Sequence, residues 1–191
     1  MILEALKNGT ASIHDAIEKN NLTNFIMDGS IDQNQYETLL RHNFKVYKAV
    51  EDFINGRYEM LPLGLKSFAG YEKTNALAKD ITAFSSMPLP EPMSISGARD
   101  EATLVGKLYV IEGSMIGGIM MSKKLQSCSN LSHIERHHFF NGDVNEGLLR
   151  WNEFKEAVDS LDFNYEEIKT AVKSAKATFK LFKKAYKKEL I

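Results

Sequence analysis

The 191-residue chain has one cysteine, Cys128, and four prolines. A lone thiol cannot close an internal disulfide or build a cysteine cage for zinc, and it fits a reducing, cytoplasmic compartment. Four prolines are too few for a Pro-rich linker protein. Neither sign of charge is in excess. Lys and Arg number 24 against 25 Asp and Glu, a formal net charge of −1. Overall charge therefore points to no nucleic-acid partner. The start, Met1–Lys7, has no basic stretch leading into a long apolar run, so no secretory leader is expected. No uninterrupted apolar run approaches about 18 residues, so no spanning helix and no membrane partner are expected. Strand-like alternation, repeats and low-complexity tracts are lacking too. What is present is 43% hydrophobic residues, with eleven Phe and eight Met, enough to bury a sizeable core. At about 1.3 times a typical domain of roughly 150 residues, the chain reads as a single domain over 1–191.

The apolar period is helical almost throughout. Leu3, Leu6, Ile13 and Ile17 recur at helical spacing until Asn20 and Asn21 break the pattern. Ser30-Ile-Asp-Gln33 reads as a capping box opening a second helix. Tyr36, Leu39, Leu40, Tyr47, Val50 and Phe53 share its face, and Gly56 offers a stop. A looser stretch with Pro62, Gly64 and Gly70 precedes a shorter helix over 73–84. Three prolines between Met87 and Pro92 predict a loop. A long apolar helix follows over 100–126, with Asp100 and Glu101 suited to its positive N-terminal end. Residues 127–145 are polar and His-rich. Helical period resumes at Trp151, Phe154, Val158 and Leu161. Asn164-Tyr-Glu-Glu167 caps a last helix lined by Ile168, Ala171, Ala175, Phe179, Phe182 and Tyr186, with Lys183, Lys184, Lys187 and Lys188 near its end. The expected architecture is all-α, six or seven helices in one bundle.

The long helix carries Leu108-Tyr109-Val-Ile-Glu112-Gly113-Ser114-Met-Ile-Gly117-Gly118 in its middle. Each glycine there costs about 0.8–1 kcal/mol relative to Ala, so roughly 2.5–3 kcal/mol for the three. A missing Cβ permits a kink, the close approach of a flat ligand, or the close approach of a second helix. Gly113 and Gly117 share one face, so tight GxxxG-style packing is one reading. In the first helix Leu3, Lys7, Thr10, His14 and Ile17 form one stripe. His14 there is either a hydrogen-bonded core residue or an axial metal ligand. Lys7 lies two turns away, about 10 Å along the axis. It either snorkels to solvent or meets an acid group of a large ligand held at His14.

The segment Leu6-Lys-Asn-Gly-Thr-Ala-Ser-Ile-His14-Asp-Ala-Ile-Glu18 resembles the N-terminal helix of heme oxygenases. The glycine-bearing segment is similar to that family's distal helix in its bacterial pattern, Tyr-x-x-Glu-Gly-Ser-x-x-Gly. Phe139-Phe140-Asn-Gly142 and Arg150-Trp151-Asn-Glu-Phe154 resemble a further segment of bacterial, biliverdin-producing members, including those associated with bacteriophytochromes. The resemblance spans about residues 3 to 186. It implies a heme-oxygenase-like helical domain with heme as both cofactor and substrate and O2 as co-substrate. It implies His14 as the axial ligand of heme iron and Gly113 and Gly117 as the distal glycines, with Gly118 beside them. Ser114 would hold an ordered water. Lys7 and Tyr109 would lie on the propionate side, Thr10 would be a further heme-binding residue, and Lys155 would be a basic propionate partner. No Asp directly follows Gly113, a departure from the mammalian pattern that bacterial members share.

The implied activity is oxygen-dependent opening of the heme ring to biliverdin, carbon monoxide and ferrous iron. Electrons would come from a ferredoxin or a flavoprotein reductase. Asp15 and Glu18 read as solvated helix-surface charges. Alternatives remain open at the level of sequence. A heme carrier of the same fold would keep His14 and Lys7 but need no open distal face. A thiaminase-like enzyme on this fold would use Cys128 as its nucleophile. His133 and His137, at i and i+4, with His138 beside them, form a candidate metal site that lacks a fixed third ligand. A structural bundle would explain the glycines by packing alone.

Overall fold

A computed structural model describes residues 2–18 and 22–187, with Phe84 by its backbone alone. The predicted break at Asn20 and Asn21 and the terminal Lys188 lie outside those residues. Seven α-helices are present among them and no strand: α1 Ile2–Glu18, α2 Thr23–Met27, α3 Gln33–Asn55, α4 Glu72–Phe84, α5 Glu101–Gln126, α6 Val144–Asp159 and α7 Tyr165–Lys187. The all-α reading holds. The short α2 escaped prediction because five residues are too few to display a period. The loose stretch after Gly56 winds into two 3-10 segments, Tyr58–Met60 and Leu63–Phe68, and the 87–92 loop is irregular as expected.

The capping box of α3 lies two residues beyond the predicted one. Asp32 accepts from the Gln35 amide at 2.8 Å, and the Gln35 side chain accepts from the Asp32 amide at 3.0 Å. Ser30 instead turns back on Asp28, its hydroxyl donating to that carboxylate at 2.6 Å. A carboxylate at the cap adds charge to the same hydrogen bond, which favours Asp32 over the serine. The predicted cap at Asn164 is present, and Asp100, expected in the first turn of the long helix, is instead its N-cap.

Helix α5 is the axis of the molecule. By length and hydropathy it is the one described helix apolar enough to cross a membrane, yet half of its apolar window is buried inside the bundle. Ala102 through Leu108 are buried on every side, which is why the helix lacks a polar face there. It crosses α7 most closely at Gly106. A Cβ at that position would collide with the Ala171 carbonyl and come within 2.8 Å of Ser174 Cβ. The Ser174 hydroxyl donates to the Thr103 carbonyl at 2.7 Å across the same crossing. Gly9 does likewise for α1 on α7, where a Cβ would come within 2.5 Å of Val172 Cγ1. These glycines are the ones required for helix packing.

Buried charge fastens the remaining elements. Glu112 on α5 accepts from Lys73 Nζ of α4 at 2.6 Å and from Arg150 Nε of α6 at 2.7 Å. Burial pushes the Glu112 carboxyl up, but the two cations outweigh it and hold it below the ordinary glutamate range. Glu51 on α3 accepts the backbone N–H groups of Lys73 and Thr74, at 3.2 and 3.0 Å, and so caps the first turn of α4. Asp80 accepts the backbone N–H groups of His138 and Phe139, at 2.6 and 2.8 Å. That contact sets the 137–140 loop against the bundle and aims Phe139 and Phe140 at the space described next.

Candidate functional site

Helices α1 and α5 both pack on α7 and α6, and between them lies a cavity of about 810 Å³. Thr10 of α1 and Tyr109 of α5 both line it. One turn further along each helix come His14 and Gly113, and both line the cavity. The floor is α7, through Phe179, Phe182 and Tyr186; Trp151 and Lys155 of α6 and Phe139 form a side wall.

His14 is not a satisfied core residue. It is exposed to the cavity, its ring set edge-on to Phe179 with centroids 5.6 Å apart. Its Nδ1 lies 3.6 Å from Oε1 of Glu18, too far for a hydrogen bond. Glu18 and Asp15 are both exposed, as expected. His14, Asp15 and Glu18 are the sole described His/Cys/Asp/Glu group close enough to share an ion.

The GxxxG packing reading fails at Gly113 and Gly117. A Cβ at Gly117 would find only Met121 Cε, 4.0 Å away, and at Gly118 only Phe140 Cδ1, also 4.0 Å away. At Gly113 the nearest atom is Trp151 Cη2, at 3.5 Å. No helix backbone packs into the space these three glycines leave, the Trp151 ring of α6 only bordering it at Gly113, and all three line the cavity. The helix also runs through them unbroken, so they do not mark a kink.

Ser114 has its hydroxyl committed. It donates to the Ile111 carbonyl at 2.7 Å and meets the Tyr47 phenol at 2.5 Å. With its own proton spent on Ile111, Ser114 accepts from Tyr47. Burial pushes the Tyr47 phenol well above the ordinary tyrosine value, so it stays a protonated donor. Tyr186 donates to Asn43 Oδ1 at 2.7 Å beside it. Sequence reading placed Tyr47 and Tyr186 only on core faces; nothing in the helical period distinguishes a phenol facing a cavity from one facing the core. Thr10 lines the cavity but is buried, its hydroxyl donating to the Leu6 carbonyl at 2.7 Å. Lys7 is exposed and Lys155 half-buried, and both line the cavity. They supply two cations to a mostly apolar slot whose lining also includes the exposed Asp15 and Glu18.

Two alternative sites are dispersed. His133 Nε2 meets Gln33 Oε1 at 2.9 Å, His137 Nδ1 meets the Tyr36 phenol at 2.7 Å, and His138 is held through its backbone. The three do not converge on one point. Cys128 is buried, its Sγ contacting the carbonyls of Gly29 and Ile31 at 3.6 and 3.8 Å, and it lies outside the cavity wall. A nucleophile there would reach no ligand bound between α1 and α5.

A slot of this shape, with an accessible imidazole on one wall and bare helix backbone on the other, suits a flat aromatic ligand with acidic substituents. Comparison with known proteins agrees. The family model described as heme oxygenase matches residues 1–188. A heme oxygenase from Rhodella violacea is 24% identical, the match covering 95% of this chain and 83% of that protein. The heme oxygenase of Leptospira interrogans superposes with a TM-score of 0.74 at 22% identity, covering 97% of this chain and 98% of that one. Heme oxygenase-1 from the cyanobacterium Synechocystis, solved in complex with heme, gives 0.71 at 18% identity, covering 97% and 90%.

Proposed function

We propose, for a chain that belongs to the heme oxygenase family, that it binds heme between α1 and α5 and opens the ring with O2 to biliverdin, carbon monoxide and ferrous iron. The observation that carries this reading is the bare backbone of Gly113, Gly117 and Gly118 facing a cavity whose other wall presents His14. Heme, when bound, supplies both the redox-active iron and the ring that is cleaved.

The chain's own residues have the following parts. His14 would hold the heme iron through its imidazole, which faces the cavity. Lys7 and Lys155 pair with the two propionates, which sets how the ring lies in the slot. Tyr109 and Thr10 line the wall on that side. On the far wall, the glycine backbone of Gly113, Gly117 and Gly118 would leave space for O2 beside a bound heme, and no side chain of those three residues fills it. Tyr47 holds its proton, and Ser114 is held between it and the Ile111 carbonyl. The second acceptor position of Ser114 orders water, which delivers protons to the site. The apolar rings of Phe139, Phe179 and Phe182 exclude bulk water from the rest. A ferredoxin or flavoprotein reductase supplies the electrons.

The test is hemin titration of the purified chain, followed by addition of a reductant under air. One hemin should bind, and its absorption should give way to a biliverdin spectrum. A heme complex stable to reductant and oxygen would identify a carrier instead. Absence of binding would overturn the reading altogether. His14→Ala should change the iron's ligand field; an unaltered spectrum and unaltered turnover would show that another residue is the ligand.

A further inference from the structure

Away from the cavity, a buried arginine N–H has no acceptor, and a buried lysine lies against the same aromatic ring. Lys107 on α5 is 1% exposed. Its Nζ lies 4.6 Å from the centre of the Phe53 ring, and Arg57 stacks on the same ring with Cζ at 3.6 Å. Arg57 spends one Nη1 proton on the Phe53 carbonyl at 3.0 Å, but its buried Nε donates to nothing. Lys107 donates to no acceptor among the described residues. A ring face can offset part of a cation's desolvation but accepts no conventional hydrogen bond.

The acids nearby in the chain are committed elsewhere. Asp52 is paired with Lys48 at 2.6 Å, Glu51 caps α4, and Asp100 accepts from the Thr103 amide at 2.6 Å. The charged neighbour that Lys107 does feel is Arg57, a like charge. Gly97 in the loop before α5 covers the site: a Cβ there would come within 3.2 Å of Phe53 and 3.6 Å of Lys107 Cε. Two cations are thus held together at the end of α3, under a loop, with unspent N–H groups and no carboxylate. A fold rarely buries charge without a partner.

We propose that Lys107 and Arg57 form a binding site for a small monovalent anion of chloride or nitrate size, which accepts from Lys107 Nζ and Arg57 Nε. A compact, singly charged ion is the class that fits. It balances the local excess charge, and it sheds its hydration at less cost than a multivalent phosphate. Binding ties the end of α3 to α5 and the 93–99 loop. This inference is independent of heme.

The experiment uses the full chain without heme at neutral pH, with chloride or nitrate replacing gluconate at constant ionic strength. The thermal midpoint of the wild type should rise by about 3 °C or more once the anion reaches about ten times its Kd. Lys107→Met and Arg57→Met should each lose most of that rise. Chloride NMR linewidth gives a second readout on the wild type alone: the protein should broaden it, and nitrate should restore it by competition. An equal rise in wild type and Lys107→Met would reduce the effect to general salt stabilisation and overturn the site. No rise and no broadening would mean that the donors face water only, which overturns it equally.

Discussion

The sharpest test of the cavity wall is a pair of identical substitutions one helix apart in purpose. Gly117 and Gly106 both lie inside α5, so replacing either by Ala carries the same helix-propensity gain of about 0.8–1 kcal/mol. Their surroundings are opposite. At Gly117 the new methyl group meets only the flexible end of Met121, at 4.0 Å, an ordinary contact. Unliganded Gly117→Ala should therefore be more stable than wild type by nearly the full gain, raising the melting temperature by about 2–4 °C. At Gly106 the methyl group would collide with the Ala171 carbonyl and crowd Ser174 Cβ at 2.8 Å. Overpacking of that kind costs about 1–3 kcal/mol, so Gly106→Ala should be destabilised despite its better propensity. Hemin binding should invert the order. Gly117→Ala places a methyl group in the slot and should weaken hemin about tenfold or more, whereas folded Gly106→Ala should bind it as wild type does. Urea unfolding and hemin titration on the three proteins decide the matter. If Gly117→Ala is destabilised without ligand, or binds and turns over hemin unchanged, the glycines are not reserved for a ligand and the central argument fails.

Three further outcomes follow from the buried charges. Burial, aided by Arg57, pushes Lys107 down to about 8 from its ordinary 10.5, so the folded state holds its proton less tightly than the unfolded chain. The corresponding penalty, about 3 kcal/mol, is full below pH 8 and fades as pH rises from 8 to 10.5. In gluconate buffer, wild-type stability from urea unfolding should gain that amount across the window relative to Lys107→Met; parallel curves would contradict it. Glu112→Gln should cost about 3–5 kcal/mol by leaving Lys73 and Arg150 without their carboxylate, measured as a lowered urea midpoint. Because the Glu112 carboxyl is held below its ordinary value, its contribution is present above the unfolded glutamate pKa and disappears as pH falls through the folded one. The variant should accordingly lose less stability in acid than wild type does.

The helices were legible because their apolar faces are long: α3 buries Tyr36, Leu39, Leu40, Tyr47, Val50 and Phe53 as the period requires. Elements shorter than two turns, such as α2 and the 3-10 segments, offered no period to read. His14 and the three glycines were visible as oddities, since each breaks a local preference. Their meaning was not. A glycine needed by a neighbouring helix and one needed by a ligand look alike in a sequence, and only the distance to the next atom separates Gly106 from Gly117. Glu112 and Lys107 show the same limit for charge. Both sit in the apolar stretch of α5, and spacing alone tells neither that Lys73 and Arg150 reach the first nor that no acid reaches the second.

Helix α5 therefore changes character along its length, and the change explains why the site is where it is. From Ala102 to Glu112 nearly every side is covered, and the Gly106 crossing with α7 and the Glu112 ion pairs with α4 and α6 fix its position. From Gly113 to Gly118 the residues are only half-buried, because the helix has passed its packing partners and borders the cavity. A helix with three interior glycines would fray if it stood alone, since the propensity cost is about 2.5–3 kcal/mol. Here the first half is anchored before the glycines begin. Glu112, immediately preceding Gly113, is ion-paired on the N-terminal side of the glycines, and Arg150, which it holds, is the neighbour of Trp151 in the facing wall. The buried carboxylate thus fixes the spacing between the glycine wall and the α6 wall, and the glycines can be spent on the ligand because the stability they cost is supplied one turn earlier.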